Sequence, residues 1–156
     1  MQVKEVMTTR VITVNTDDSV ETCSKLLLEH NISGLPVLDQ EGNLVGIVTE
    51  GDLIRRASRI KAPGYLEILG GIIYLDSPKK FVEDIKRTMA YLAGDMMSHK
   101  LVTVNQHDTV KEAATLMLEN NIARLPVVDE NGKLLGIISR RDIMEQLYSD
   151  NWDDND

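Results

Sequence analysis

The stretch Asn31-Ile-Ser-Gly-Leu-Pro-Val-Leu-Asp-Gln-Glu-Gly-Asn-Leu-Val-Gly-Ile-Val-Thr-Glu-Gly-Asp52 returns later in the chain as Asn121-Ile-Ala-Arg-Leu-Pro-Val-Val-Asp-Glu-Asn-Gly-Lys-Leu-Leu-Gly-Ile-Ile-Ser-Arg-Arg-Asp142. Pro36 falls on Pro126, Asp39 on Asp129, Gly42 on Gly132, Gly46 on Gly136 and Asp52 on Asp142, an offset of 90 residues. The register extends outward to Thr13-Val14-Asn15 on Thr103-Val104-Asn105 and to Glu29 on Glu119. From Glu5 to Ile54 it needs no gap. Two units with one long insert form a duplication and not a solenoid, which needs about three or more stacked repeats.

Each repeat reads in the order β-α-β-β-α. A short leader (Val3 to Met7; Asp95 to Met97) precedes an apolar extended stretch, Val11 to Val14 and Leu101 to Val104. Thr109-x-x-Glu112 has the capping-box pattern, in which hydroxyl and carboxylate satisfy orphan amides of a first helical turn. Behind it Val110, Ala113, Ala114 and Met117 line one helical face, as Val20, Cys23 and Leu27 do in the first repeat. Leu35–Leu38 and Leu44–Val48 flank the turn residues Asp39 to Asn43 as a hairpin, repeated by Leu125–Val128 and Leu134–Ile138. A closing helix starts at Glu50 and at Arg140. The expected division is residues 1–57, an insert at 58–93, residues 94–148 and an acidic, frayed tail at 149–156.

The insert has no counterpart in either repeat. Tyr65, Ile68, Leu69, Ile72 and Ile73 fall at helical spacing, weakened by Gly70-Gly71. Ser77-Pro78 suits an N-cap followed by proline at the first helical position. Phe81, Val82, Ile85, Met89 and Leu92 then form an amphipathic stripe. The expectation is two helices.

The 156 residues are 42% hydrophobic and 27% charged, a globular composition. One Phe, one Trp and four Tyr leave the core to aliphatic residues and Met. The net charge of −8 disfavours nucleic acid as a partner, because nonspecific binding needs a basic surface to displace counterions. No stretch approaches the roughly 18 apolar residues of a membrane span, and MQVKEVMTTR lacks the apolar core of a signal peptide. The lone cysteine, Cys23, excludes an internal disulfide and fits a reducing compartment. The expected setting is cytoplasmic.

Chemistry concentrates in the heptads Gly46-Ile-Val-Thr49-Glu-Gly-Asp52 and Gly136-Ile-Ile-Ser139-Arg-Arg-Asp142. Each places a hydroxyl at a strand-to-helix junction and a carboxylate one turn later. That pattern serves as a helix cap. It also offers acceptors to a vicinal diol beside helix-start amides that suit an anion. Ribose carrying a phosphate satisfies both.

Together these residues resemble the cystathionine-β-synthase (CBS) domain, two of which pair as a Bateman module. The likeness is carried by Val6-Met7-Thr8 with Val11-Ile12-Thr13-Val14, by Asn31 to Asp39 and by Gly46 to Asp52, each recurring in the second repeat. It implies an α/β fold of two pseudo-symmetric β-α-β-β-α motifs packed through their sheets, with two clefts and a helical insert. It further implies an adenosine-containing ligand: AMP, ADP, ATP or S-adenosylmethionine, with Mg2+ for a triphosphate. On that likeness Thr49 with Asp52, and Ser139 with Asp142, hold ribose hydroxyls. Thr13 and Thr103 wall the base pocket, with Ile32, Gly34 and Pro36 and with Ile122 and Pro126. Arg124 and Arg141 reach phosphate, and Arg140 can add to them. Gly34 faces Arg124 in the alignment of the repeats, so unequal sites are expected. Arg10, Lys100, Arg55 and Arg56 read as solvated surface.

No nucleophile–base pair, P-loop or G-x-G-x-x-G is present, and His30, His99 and His107 show no metal-ligand spacing with Cys23. These absences lead to the expectation of a non-enzymatic protein without a metal site, and the resemblance implies a homodimeric adenine-nucleotide sensor that signals to a partner protein. The alternative is a non-catalytic interaction or dimerisation module with empty or degenerate clefts.

Overall fold

Helix α1 (Val20–Glu29) follows β1 (Val14–Asn15) and leads into β2 (Gly34–Leu38), β3 (Leu44–Thr49) and α2 (Glu50–Ser58). The insert contributes β4 (Tyr65–Ile68), β5 (Gly71–Tyr74) and α3 (Pro78–Met89), and α4 (Ala93–Met96) introduces the second repeat. That repeat runs β6 (Val104–Asn105), α5 (Val110–Glu119), β7 (Arg124–Val128), β8 (Leu134–Ser139) and α6 (Arg140–Tyr148). The computed structural model describes residues 1–59, 65–68, 71–74, 77–89, 91–98 and 100–148. The tail at 149–156 lies outside them.

The β-α-β-β-α order is present twice, and each repeat carries a three-stranded sheet. The order is β1-β2-β3, with β1 parallel and β3 antiparallel to the central β2, and β6-β7-β8 repeats it. The extended stretches before β1 and β6 pair only at Val14-Asn15 and Val104-Asn105. Pro36 lies in the central strand where β1 does not reach, since β1 pairs with Val37 and Leu38. Its missing N–H is thus placed where the strand has a neighbour on one side only.

Capping fixes both ends of the first helix of each repeat. Ser19 Oγ accepts from Thr22 N at 3.1 Å. Thr109 Oγ1 accepts from Glu112 N at 3.2 Å while Glu112 Oε2 accepts from Thr109 N at 2.7 Å. These bonds hold the Glu112 carboxyl below the usual range. At the C-termini Asn31 (φ 50°) and Asn121 (φ 51°) adopt the left-handed conformation. Ile32 N then donates to Leu27 O at 3.0 Å and Asn31 N to Leu28 O at 3.3 Å, and Ile122 and Asn121 repeat both bonds with Met117 and Leu118. This Schellman geometry closes the helix and turns the chain toward β2 or β7.

Two aliphatic cores result. Val14, Cys23, Leu27, Leu35, Val37 and Val48 form the first, and Val104, Val110, Ala113, Met117, Leu125, Val127, Ile138 and Ile143 the second. The leaders are exchanged between them. Val3 is fully buried in the second core, and Ala93 is fully buried in the first. Val3 N donates to Asp108 O at 2.8 Å, whereas Ala93 N donates to Asp18 O at 2.7 Å. Residues Thr8 and Ile137 then bridge, as do Ile47 and Ser98, so each leader adds to the edge of the opposite sheet. Burying Val3 contributes about 1.5–3 kcal/mol to joining the halves.

The insert departs from the two helices expected. Tyr65 pairs with Tyr74 and Ile68 with Gly71, two antiparallel strands in place of the first expected helix. By composition Gly70-Gly71 disfavours helix, and Ile72-Ile73-Tyr74 favours strand. The second helix begins at Pro78, with Phe81 N donating to Ser77 O at 3.3 Å. On its stripe Phe81 and Ile85 are half-buried and Val82 is exposed.

Candidate functional site

Strands β3 and β8 end on Thr49 and Ser139, which pair in register with Gly34 and Arg124. Helices α2 and α6 start one residue later. The hydroxyl–carboxylate pairs act as caps at both starts. Asp52 Oδ2 accepts from Thr49 N at 2.8 Å and from Thr49 Oγ1 at 3.0 Å. Asp142 Oδ2 accepts from Ser139 N at 2.7 Å and from Ser139 Oγ at 2.8 Å. In each case a single carboxylate oxygen completes the cap.

The remaining oxygens differ. Asp52 Oδ1 accepts from Arg55 at 2.6 Å, and the Asp52 side chain is 15% exposed against 67% for Arg55. Among the described residues Asp142 Oδ1 has no hydrogen-bond partner, because the carboxylate Glu145 stands where the first repeat has Arg55, and Glu145 Oε1 itself accepts from Arg141 Nε at 2.8 Å. The Glu145 bond and charge hold the Arg141 guanidinium protonated to a higher pH than usual.

Two clefts flank these helix starts, and each takes its walls from both repeats. A cleft of about 480 Å³ sets Ser139, Arg140, Arg141 and Asp142 against Thr8, Arg10, Val11, Ile12 and the Ile32–Gly34 turn. A cleft of about 420 Å³ sets Thr49, Asp52 and Arg55 against Lys100, Leu101, Val102 and the Asn121–Ala123 turn. Both volumes fall within the roughly 300–1,000 Å³ usual for small-molecule sites. The Schellman turns present Ile32 and Ile122 to them.

Of the residues singled out in the sequence, Ile32, Gly34, Arg124, Ser139, Arg141 and Asp142 line the first cleft, and Thr49, Asp52, Ile122, Arg124 and Pro126 line the second. Thr13, Thr103 and Pro36 lie outside both linings, Thr13 and Thr103 one residue beyond the lining Ile12 and Val102, and Pro36 two beyond Gly34. The one-residue offset follows from β1 and β6 being only two residues long. Val11-Ile12 and Leu101-Val102 precede the paired segments and are left to form walls. Arg10, Lys100 and Arg55 are exposed as expected of surface cations, yet they line clefts. Arg56 departs from that expectation: its guanidinium carbon sits 3.3 Å from the Tyr91 ring centroid.

Arg124 lines both clefts, together with Glu50 and Ala123. Its guanidinium hydrogen-bonds the Ser33 hydroxyl of the opposite repeat. Burial makes its charged form less favourable than usual, the Glu50 carboxylate opposes that effect and nearby Arg140 adds to it. Among the described residues neither lining contains His or Cys. The linings combine the guanidinium groups of Arg10, Arg124, Arg140 and Arg141 with the apolar Val11, Ile12, Leu101 and Val102.

A family model described as CBS domain matches residues 3–59 and 93–149. A protein of Methanocaldococcus jannaschii is 32% identical over 154 residues, covering 94% of this chain and 91% of its own. CBSX2 of Arabidopsis thaliana in complex with AMP has a TM-score of 0.71 at 29% identity, covering 95% of this chain and 96% of its own. A CBS domain pair in complex with 5-methylthioadenosine and S-adenosyl-L-methionine reaches a TM-score of 0.74 at 23% identity, covering 97% and 98%, a likeness of fold. Among the described residues no helix is long and apolar enough to cross a membrane.

Proposed function

The chain belongs to the CBS domain family, and from that membership we propose that it is a regulatory module sensing an adenosine-containing ligand, with AMP the leading candidate. The observation that carries the reading is the placement of Thr49–Asp52 and Ser139–Asp142 each opposite the apolar wall of the other repeat. In the 480 Å³ cleft the ribose diol meets Asp142 Oδ1, and the base lies against Val11, Ile12 and Ile32. The phosphate turns toward Arg124. The complex of CBSX2 with AMP supports this class of ligand.

Because both repeats wall each cleft, a bound ligand bridges them. It shifts the balance between two arrangements of the halves by its difference in affinity for them, and that difference is the signal. The module acts without catalysis and passes its state to a partner protein. It works as a homodimer: Leu28 and Leu118 are 82% and 75% exposed, and Ile54 and Met144 are 66% and 56% exposed, at equivalent positions of the two repeats.

Thermal unfolding with AMP, ADP, ATP, S-adenosylmethionine and a GTP control tests the ligand. Ligand at about 100 times its Kd adds roughly 2.7 kcal/mol to the native state. That corresponds to a Tm rise on the order of 5 °C or more for a chain of this length. A rise with an adenosine ligand and none with GTP supports sensing. No rise with any of them leaves an assembly module as the function.

A further inference from the structure

We propose that Arg124 is a phosphate-reading residue shared by the two clefts, so that the module holds one nucleoside phosphate at full affinity and a second only weakly. The proposal rests on the nucleotide-sensing reading above and deepens it. Arg124 is in both linings, and the position equivalent to it in the first repeat is Gly34. A side chain there would have to displace the Arg124 side chain. A Cβ on residue 34 would stand 2.6 Å from Arg124 Cδ and 2.8 Å from its Nη1.

The other cations around the clefts are poorer phosphate partners. Arg55 is paired with Asp52 at 2.6 Å, Arg141 with Glu145 at 2.8 Å, and Arg140 Nε donates to Ile122 O at 3.1 Å. Arg10 and Lys100 are exposed to water. Arg124 is half-buried, and its hydrogen-bond partner among the described residues is the neutral Ser33 hydroxyl. A desolvated guanidinium gains more from an anion than a hydrated one does. A phosphate taken bidentately, with Ser33 on another donor, leaves only the remaining N–H groups for a second phosphate. A phosphate arriving in the second cleft finds the fork engaged and adds negative charge across the shared wall, where Glu50 already stands.

Isothermal titration of the full chain with adenosine and with AMP tests this. Adenosine, lacking phosphate, fills both clefts with affinities that differ only by the about two- to fivefold that the Asp52–Arg55 pair costs one of them. AMP gives a tight and a weak event whose Kd values differ by on the order of tenfold more than those of adenosine. Asp142→Ala weakens the ribose hold in one cleft and leaves Arg124 to the other. The surviving AMP event then becomes tighter than the weak event of the unaltered protein. Arg124→Gln brings the two AMP events to the spacing seen for adenosine. The proposal is overturned if AMP and adenosine show the same spacing, if the gap survives Arg124→Gln, or if the surviving event in a folded Asp142→Ala protein keeps the weak Kd. Failure of both adenosine and AMP to bind would instead overturn the nucleotide-sensing reading.

Discussion

Arg124 of the second repeat occupies the space that a side chain on Gly34 of the first would need, with its Cδ 2.6 Å from the position of a Cβ. The two residues are equivalent by the 90-residue offset, so identical side chains cannot meet at the contact between the repeats. Gly34→Ala should destabilise the chain by about 1 kcal/mol through overpacking, and Arg124→Ala in the same chain should return most of that loss. A double-mutant cycle by urea denaturation measures it. Additive effects would show that the two positions do not compete.

Gly46 faces a harder obstacle. A Cβ there would lie 2.6 Å from Met97 Sδ and 2.9 Å from the Ser98 backbone oxygen, in the leader that bridges to Ile47. Backbone yields less readily than a side-chain tip, so Gly46→Ala should cost about 2–3 kcal/mol, more than the change at Gly34. Denaturant midpoints of the two variants, measured side by side, give the order.

The Asp52–Arg55 pair competes with any diol for the second carboxylate oxygen, at 2.6 Å. Arg55 is mostly exposed, so breaking the pair is cheap, on the order of 0.2–1 kcal/mol. Arg55→Ala should strengthen adenosine binding in the Thr49–Asp52 cleft about two- to fivefold, the same energy read as affinity. Titration calorimetry resolves the change, and weaker binding would mean that Arg55 itself contacts the ligand.

Burial, with the Asp18 charge, pushes the Cys23 thiol up to about 11 from 9.0. In the folded chain the thiol thus stays protonated while the unfolded thiol ionises. Its contribution to stability is complete below pH 9 and is lost as pH rises toward 11. Cys23→Ala should lose less stability than the unaltered chain over that interval. At pH 8 a thiol reagent should label Cys23 only at the rate of unfolding, and fast native-state labelling would contradict its burial.

Ile54→Glu combined with Met144→Glu places charge on two exposed apolar positions of α2 and α6. Sedimentation should show a monomer for this variant and a dimer for the parent. Both residues are already solvent-facing in one chain, so the Tm measured at low concentration should barely move.

The duplication and the order of elements were legible because Pro, Gly and Asp mark turns and caps, and these stay in step. Thr109 and Glu112 announce the start of α5 from four residues of sequence, and the structure closes that capping box. The insert departs from its sequence reading because five residues, Tyr65, Ile68, Leu69, Ile72 and Ile73, fit helical spacing while Gly70-Gly71 disfavours helix and the β-branched pair Ile72-Ile73 favours strand. The dual placement of Arg124 had no sequence signal. A residue's own repeat is visible in its motif, but the cleft it reaches depends on how the repeats pack. The same holds for Arg55 and Lys100, whose charges look like surface until a neighbouring repeat stands opposite.

The exchanged leaders also order events in time. During synthesis the first repeat cannot close its core when residue 58 leaves the ribosome, since Ala93 fills part of it and Tyr91 O accepts the Val20 amide at 2.7 Å. Val3, made before Asp108, waits for it and for the second core before it is buried. The two halves therefore mature together, and an arrest of translation between them leaves a nascent chain with an open aliphatic face for chaperones to cover.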